Sequence, residues 1–214
     1  AGRGVSADRV VAAWRDLAGR LGLDDDRAAT TAAFLVAQYS GPARHYHGLG
    51  HVARMLDEAE ALPFSDHDAV ELAILFHDVV YEPSRRDNEE RSAEALRERL
   101  GGVVPEAVLA YAESMVLATR RHEPTGDADA DLFLDLDLSI LAAPWPEYAR
   151  YAEGVMREYV PIHGEDAYRR GRVELFLRPM LARGRVFLTE RFAASDAHAL
   201  ANMAREAKGL SREG

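Results

Sequence analysis

Glu71-Leu72-Ala73-Ile74-Leu75-Phe76-His77-Asp78-Val79-Val80-Tyr81 is an apolar run closed by an adjacent histidine and aspartate. Read at helical spacing, Val70, Ala73, Ile74 and His77 share one face, so His77 continues a stripe that packing should bury. Asp78 follows in the last turn, where a buried carboxylate is costly unless something pairs with it. An imidazole beside a carboxylate at the end of a buried helix makes a good pair of ligands for a borderline or hard metal ion. A His-Asp dipeptide alone is weak, so the case turns on whether other stretches send matching ligands.

Outward from this stretch, nearly every segment has helical period and none alternates as a strand does. Ser6 is read as the N-cap of a first helix through Val10, Trp14, Leu17 and Leu21, closed by Gly22. Asp24 to Asp26 open a second helix ending near Tyr39, which Ser40-Gly41-Pro42 breaks. A third runs from near Gly48 to Leu62, with Val52, Met55, Leu56 and Ala59 inward, and Ser65 is read as the cap of the central helix. Asp87 with Glu90 resembles a capping box for a helix to Leu100, and a further helix from Pro105 reaches His122. Helices over about 129–142, through Tyr148 to Tyr159, over 166–182 and over 189–208 complete the pattern. The fold class expected is an all-α bundle in one domain over 1–214. Its core is placed at about 24–142, with the helices of 144–209 packing on it.

Composition narrows the function. The chain has no cysteine, so any metal must take nitrogen and oxygen ligands. A formal charge of -10 removes the broad positive field that binds a phosphate backbone, which argues against polymeric nucleic acid. Arginines still allow a bidentate grip on a small phosphate ester. No apolar run is long enough to span a bilayer and the first residues show no signal-type stretch, so a cytoplasmic protein off the membrane is expected. A homodimer is the expected assembly on general grounds of symmetry.

Three further stretches supply candidate ligands. His51 opens the third helix beside its apolar stripe; His47, four residues earlier, shares its face if the turn is already helical. Gly48 and Gly50 permit a close or unusual backbone approach there. In Asp131-Leu132-Phe133-Leu134-Asp135-Leu136-Asp137, two carboxylates compete. Asp131, Asp135 and Ser139 form a polar i, i+4 series read as the solvent face, whereas Asp137 falls among Phe133, Ile140 and Leu141. Asp137 is therefore taken as the fourth ligand beside His51, His77 and Asp78. His122 extends the stripe Val108, Tyr111, Met115, Ala118 and is a candidate for the site or for the core.

In this order, His51, His77-Asp78 and Asp137 resemble the signature of the HD superfamily of metal-dependent phosphohydrolases. The segments Arg44-His45-Tyr46-His47, Phe76 to Pro83, Asp87 to Ala93, Phe133 to Leu141 and a closing helix with Asn202 are similar to a stand-alone branch known mainly as predicted phosphohydrolases. The resemblance implies an HD-type helical fold and a divalent metal site, with Mn, Fe, Co, Ni, Zn or Mg all admitted. Guanosine-tetraphosphate hydrolases of the superfamily carry a Glu-Asp pair soon after His-Asp; here Val80-Tyr81-Glu82 stands there, so that activity is not expected.

On this reading the substrate is a small phosphate ester, a nucleotide or a sugar phosphate. Arg44 is assigned as phosphate clamp, and Glu89 or Asp87 as general base. His122 and His47 are placed to protonate the leaving group or to touch phosphate, and Tyr46 or Tyr81 to stack on a base or sugar. Asn88, in the same cluster as Asp87, is counted among the substrate-binding residues. Two other functions fit the scaffold: a di-iron oxygenase, which needs a second metal, and a non-catalytic nucleotide-sensing module that keeps the metal for structure.

Overall fold

The central run folds as expected and is apolar almost all round. In the computed structural model, which describes residues 2–211, α4 spans His67–Phe76, and every residue from Ala69 to Phe76 except Glu71 is buried. A helix apolar on all sides must be surrounded. Helices α1 (Gly2–Arg20), α3 (Leu49–Ala59), α5 (Asn88–Leu100) and α6 (Glu106–Ala118) pack against it. Glu71, its polar exception, pairs with Arg20 of α1. α2 (Asp25–Tyr39) packs on α1, where the Trp14 indole N–H donates to the Ala28 carbonyl at 2.7 Å. No strand occurs among the described residues.

The chain divides into two compact units, residues 1–134 and 135–214, with the boundary inside α7 (Ala128–Asp137). In the second unit the end of α7 runs into a 3-10 turn, Leu138–Ala142, whose Leu141 carbonyl and the following Ala143 carbonyl both accept from the Asn202 amide. It continues through α8 (Trp145–His163), α9 (Glu165–Gly171), a π-helical turn at Arg172–Leu177, α10 (Arg178–Arg183), α11 (Glu190–Ala193) and α12 (Asp196–Leu210). At the head of the π-turn, Arg172 is buried against Glu206 at 2.9 Å and donates to the Tyr151 hydroxyl, while the Tyr148 hydroxyl donates to Glu206. Each member of this cluster is satisfied, as a buried charge requires.

Several local expectations need correction. Ser6 lies inside α1, not at its start. Asp66, not Ser65, caps α4, accepting from the Ala69 N–H at 3.0 Å; the Ser65 N–H is taken by buried Asp129. Asp87 occupies the N-cap of α5 without a side-chain cap bond, because its carboxylate turns to Arg85. The long helix read over 189–208 is two pieces, α11 and α12. The helix read to His122 stops at Ala118, and His122 follows it in a left-handed turn with φ 48. Gly22, in contrast, closes α1 with φ 72, as a C-terminal glycine should.

Candidate metal centre

The site grows out of the C-terminal end of α4. The last four carbonyls of a helix have no onward partner within it. Here each finds another. The Ala73 carbonyl accepts from the His77 N–H at 2.8 Å, and the Phe76 carbonyl from the Val79 N–H at 3.1 Å. The Leu75 carbonyl accepts from the buried Tyr39 hydroxyl at 3.1 Å, and the Ile74 carbonyl faces His77 Nδ1 at 3.0 Å.

That last contact fixes the histidine. A carbonyl only accepts, so Nδ1 carries the proton and the lone pair of the neutral ring sits on Nε2. Nε2 of His77 lies 3.1 Å from Nε2 of His51 and 3.1 Å from Oδ2 of Asp78. Both histidines are buried, and the Asp78 carboxylate is 18% exposed. His51, His77 and Asp78 each offer one ligand atom, and the three atoms lie within 4.8 Å of one another. A lone pair and a carboxylate oxygen at such range repel unless a cation or a shared proton lies between them. This arrangement of donors fits a metal ion: a backbone carbonyl holds the ring, and the other nitrogen faces the ligand cluster.

The turn after α4 is held from outside by side chains. Arg44 donates from NH1 to the His47 carbonyl at 2.7 Å and to the Asp78 carbonyl at 2.6 Å, and from NH2 to the Val79 carbonyl at 3.0 Å. Its guanidinium also lies over the rings of Tyr39 and Tyr81. Ser92, fully buried in α5, both accepts from the Val80 N–H and donates to the Val80 carbonyl. Gly48 passes so close to the Tyr39 carbonyl that an added Cβ would sit 3.0 Å from it, whereas a Cβ on Gly50 would meet nothing. The close approach expected at this loop is thus confined to Gly48.

An aromatic wall stands beside the three ligands. The Tyr46 ring is 4.9 Å from His51 and 4.9 Å from His47; His47 stacks on Tyr81 at 4.3 Å and lies 6.1 Å from His51. α3 begins only at Leu49, so His47 reaches this position from the preceding loop and not from a helical turn. Phe133 meets the edge of His77 at 6.2 Å.

The structure therefore gathers His51, His77, Asp78, Tyr46, His47, Tyr81 and Arg44. Asn88 is committed elsewhere: its amide pairs with the Glu82 backbone, accepting from N–H at 3.1 Å and donating to the carbonyl at 3.0 Å. Asp87 is engaged by Arg85 through two hydrogen bonds, and this guanidinium holds its carboxyl below the usual range. Glu89 is half-buried in the first turn of α5 and makes no hydrogen bond or ion pair among the described residues. His122 is half-buried after α6 and is not one of the three grouped ligands.

Asp137 belongs to the second unit, half-buried at the end of α7. The solvent-face reading of its neighbour is overturned. Asp135 is 1% exposed and accepts from the Leu188 N–H, the Thr189 N–H and the Thr189 hydroxyl at 2.6, 2.8 and 2.6 Å. Burial nevertheless pushes its carboxyl up, outweighing these donors. Reading the segment by periodicity missed this role, because the donors come from 53 and 54 residues away.

No family model matches the chain, and no curated protein or solved structure matches it. No helix among the described residues is long and apolar enough to cross a membrane.

Proposed function

We propose that the chain is a metal-dependent phosphohydrolase of the HD superfamily type, acting on a small phosphate ester. The observation that supports it most is the convergence of His51 Nε2, His77 Nε2 and Asp78 Oδ2, with the His77 lone pair turned toward the other two by the Ile74 carbonyl. Two imidazoles and a carboxylate suit Mn, Fe, Co, Ni or Zn better than Mg, which favours oxygen ligands. A bound divalent ion would lower the pKa of water and offset charge on phosphoryl oxygens.

The surrounding residues divide the remaining work. Tyr46, His47 and Tyr81 offer ring faces and polar edges to a substrate beside the ligands. Arg44 has both NH1 hydrogens and one of NH2 on carbonyls, so its main role is to brace the loop, and its remaining N–H groups are what it offers an anion. Asp87, held by Arg85, is a poor proton acceptor, which leaves Glu89 as the better general base of the two. Asp137 remains the proposed fourth ligand on the strength of the sequence pattern.

The test is metal analysis by mass spectrometry on protein purified without chelator. It is joined to a phosphate-release screen over nucleotides and sugar phosphates with several divalent ions. Asp78→Ala should abolish both metal retention and turnover, and Asp137→Asn should lower metal retention. Turnover that survives Asp78→Ala would refute the mechanism.

A further inference from the structure

Within the first unit, α2 and α5 flank a groove of about 740 Å³. It is lined by neither His51, His77 nor Asp78, although it reaches Val80, two residues past Asp78. Its volume falls in the range of small-molecule sites. Three features of its lining bear on what it could receive. Thr31 is 1% exposed, lines the groove and makes no side-chain hydrogen bond among the described residues. The Arg99 guanidinium lies 3.5 Å above the centroid of the half-exposed Phe34 ring, a planar cation stacked on a planar ring. It makes no ion pair among the described residues, and burial opposes its charge. Arg91 also lines the groove, with no side-chain hydrogen bond or ion pair among the described residues.

Arg91 and Arg99 both stand on α5, eight residues apart, which is about 12 Å of helix rise. We propose that the groove is a second binding site, for a small molecule carrying one planar unsaturated ring and one oxyanionic group roughly 10 Å away. The ring stacks on the outer face of the Arg99–Phe34 pair, as flat π-systems do on guanidinium planes. The oxyanion, phosphate monoester or carboxylate, takes the bidentate fork of Arg91. Thr31 supplies a hydroxyl hydrogen bond along the way. Four carboxylates against three guanidiniums line the groove, a balance that disfavours polyphosphates and nucleic acid, so an anionic group must be held locally by Arg91.

The test is isothermal calorimetry on the full chain in excess chelator, so that the metal centre plays no part. The probes are AMP, 3-indolepropionate, adenosine and ribose 5-phosphate. AMP or 3-indolepropionate should bind with Kd below about 1 mM, with adenosine and ribose 5-phosphate at least about tenfold weaker. Arg99→Ala should weaken binding at least about tenfold, whereas His77→Ala should leave it within about twofold. Because Arg99 also packs on Phe34, the isosteric Thr31→Val is the second variant, expected to weaken binding about threefold to tenfold. The proposal is overturned if neither anionic probe binds below about 5 mM, if adenosine binds as tightly as AMP, or if binding survives both groove variants. Binding lost in His77→Ala and kept in Arg99→Ala would assign the ligand to the metal centre and overturn it equally.

Discussion

Replacing Arg44 by Met separates two roles for one side chain. Methionine keeps the length of the stem and removes the guanidinium, so packing changes little and hydrogen bonding changes completely. Three donations to the His47, Asp78 and Val79 carbonyls are lost. Charge-assisted bonds are worth about 1.5–3 kcal/mol each when buried, but this side chain is half-buried and water reaches part of the site, so about 1 kcal/mol each is the working figure. The two cation–π contacts add about 0.5 kcal/mol apiece. The expected loss is about 4 kcal/mol, seen as a fall in Tm of roughly 10 °C. Metal affinity should fall with it, by about tenfold, because the turn carrying Asp78 is no longer tethered to the loop carrying His47. Arg44→Lys should recover only part, since a compact ammonium cannot reach three carbonyls in a fixed fork. Urea unfolding and metal titration on both variants make the comparison. Stability and metal affinity that match the parent, combined with a raised KM, would refute the brace and restore Arg44 as the phosphate clamp first read from the sequence.

Three other outcomes are expected. Asp135→Ala strips an acceptor from two N–H groups and a hydroxyl in a buried place, and urea unfolding should show a loss of about 3 kcal/mol; a change within about 0.5 kcal/mol would return Asp135 to the surface. The Tyr111 hydroxyl, helped by the Ala130 N–H, holds the Asp127 carboxyl below its ordinary value. A depressed carboxyl stabilises the fold above its unfolded pKa, about 3.9, and loses that contribution as pH falls through the folded value. The difference in Tm between the parent and Tyr111→Phe should therefore be present at pH 6 and shrink as the pH falls below the usual carboxylate range, and a difference that grows on acidification would contradict the assignment. Finally, since lone pair and carboxylate crowd one another at 3.1 Å, a proton should take the ion's place when the metal is stripped. Calorimetry of metal binding in buffers of unlike ionisation enthalpy should then report proton release, and an identical heat in every buffer would count against it.

Periodicity and local stop signals were enough to read most of the helices. α4 was legible because its apolar run leaves no polar face, and α1 ends where a glycine at φ 72 permits it. The corrections share a cause: each depends on a partner far along the chain. Ser65 and Asp66 are both good caps; Asp66 accepts from the Ala69 N–H, and Asp129, 64 and 63 residues away, takes the Ser65 and Asp66 N–H groups and fixes the entry to the helix. Asp135 looked like a surface residue beside Asp131 and Ser139, yet its donors arrive from the segment before α11. For the site, residue type and spacing singled out His51, His77 and Asp78 as a set, since each alone could be an ordinary core residue, and the grouping of their ligand atoms within 4.8 Å depends on the fold. Nothing local could say that Arg44 would be consumed by carbonyls, that Asn88 would pair with the Glu82 backbone, or that Ser92 matters at all. Its one clue was a hydroxyl among the inward residues Ala93, Leu96 and Leu100 of α5.

How the turn after α4 is fastened bears on what it is for. Of the eight carbonyls from Ala73 to Val80, seven have a named donor, and five of these donors are side chains: His77, Tyr39, Arg44 twice, and Ser92. A turn that only had to end a helix would leave such groups to water or to a glycine cap, without ordering long side chains to meet them. Holding this one from several elements fixes the direction of the His77 ring and the placing of the Asp78 carboxylate together. Ligands for an ion need that fixed geometry, whereas a hydrogen-bonded His-Asp pair tolerates looser support. The tethers come from the loop before α3, from α2 and from α5, so those elements bear on the site although none of them carries His77 or Asp78. Substitutions at Tyr39 and Ser92 therefore belong with those at Arg44 in their effect on the candidate metal centre, distant as they are from it in sequence.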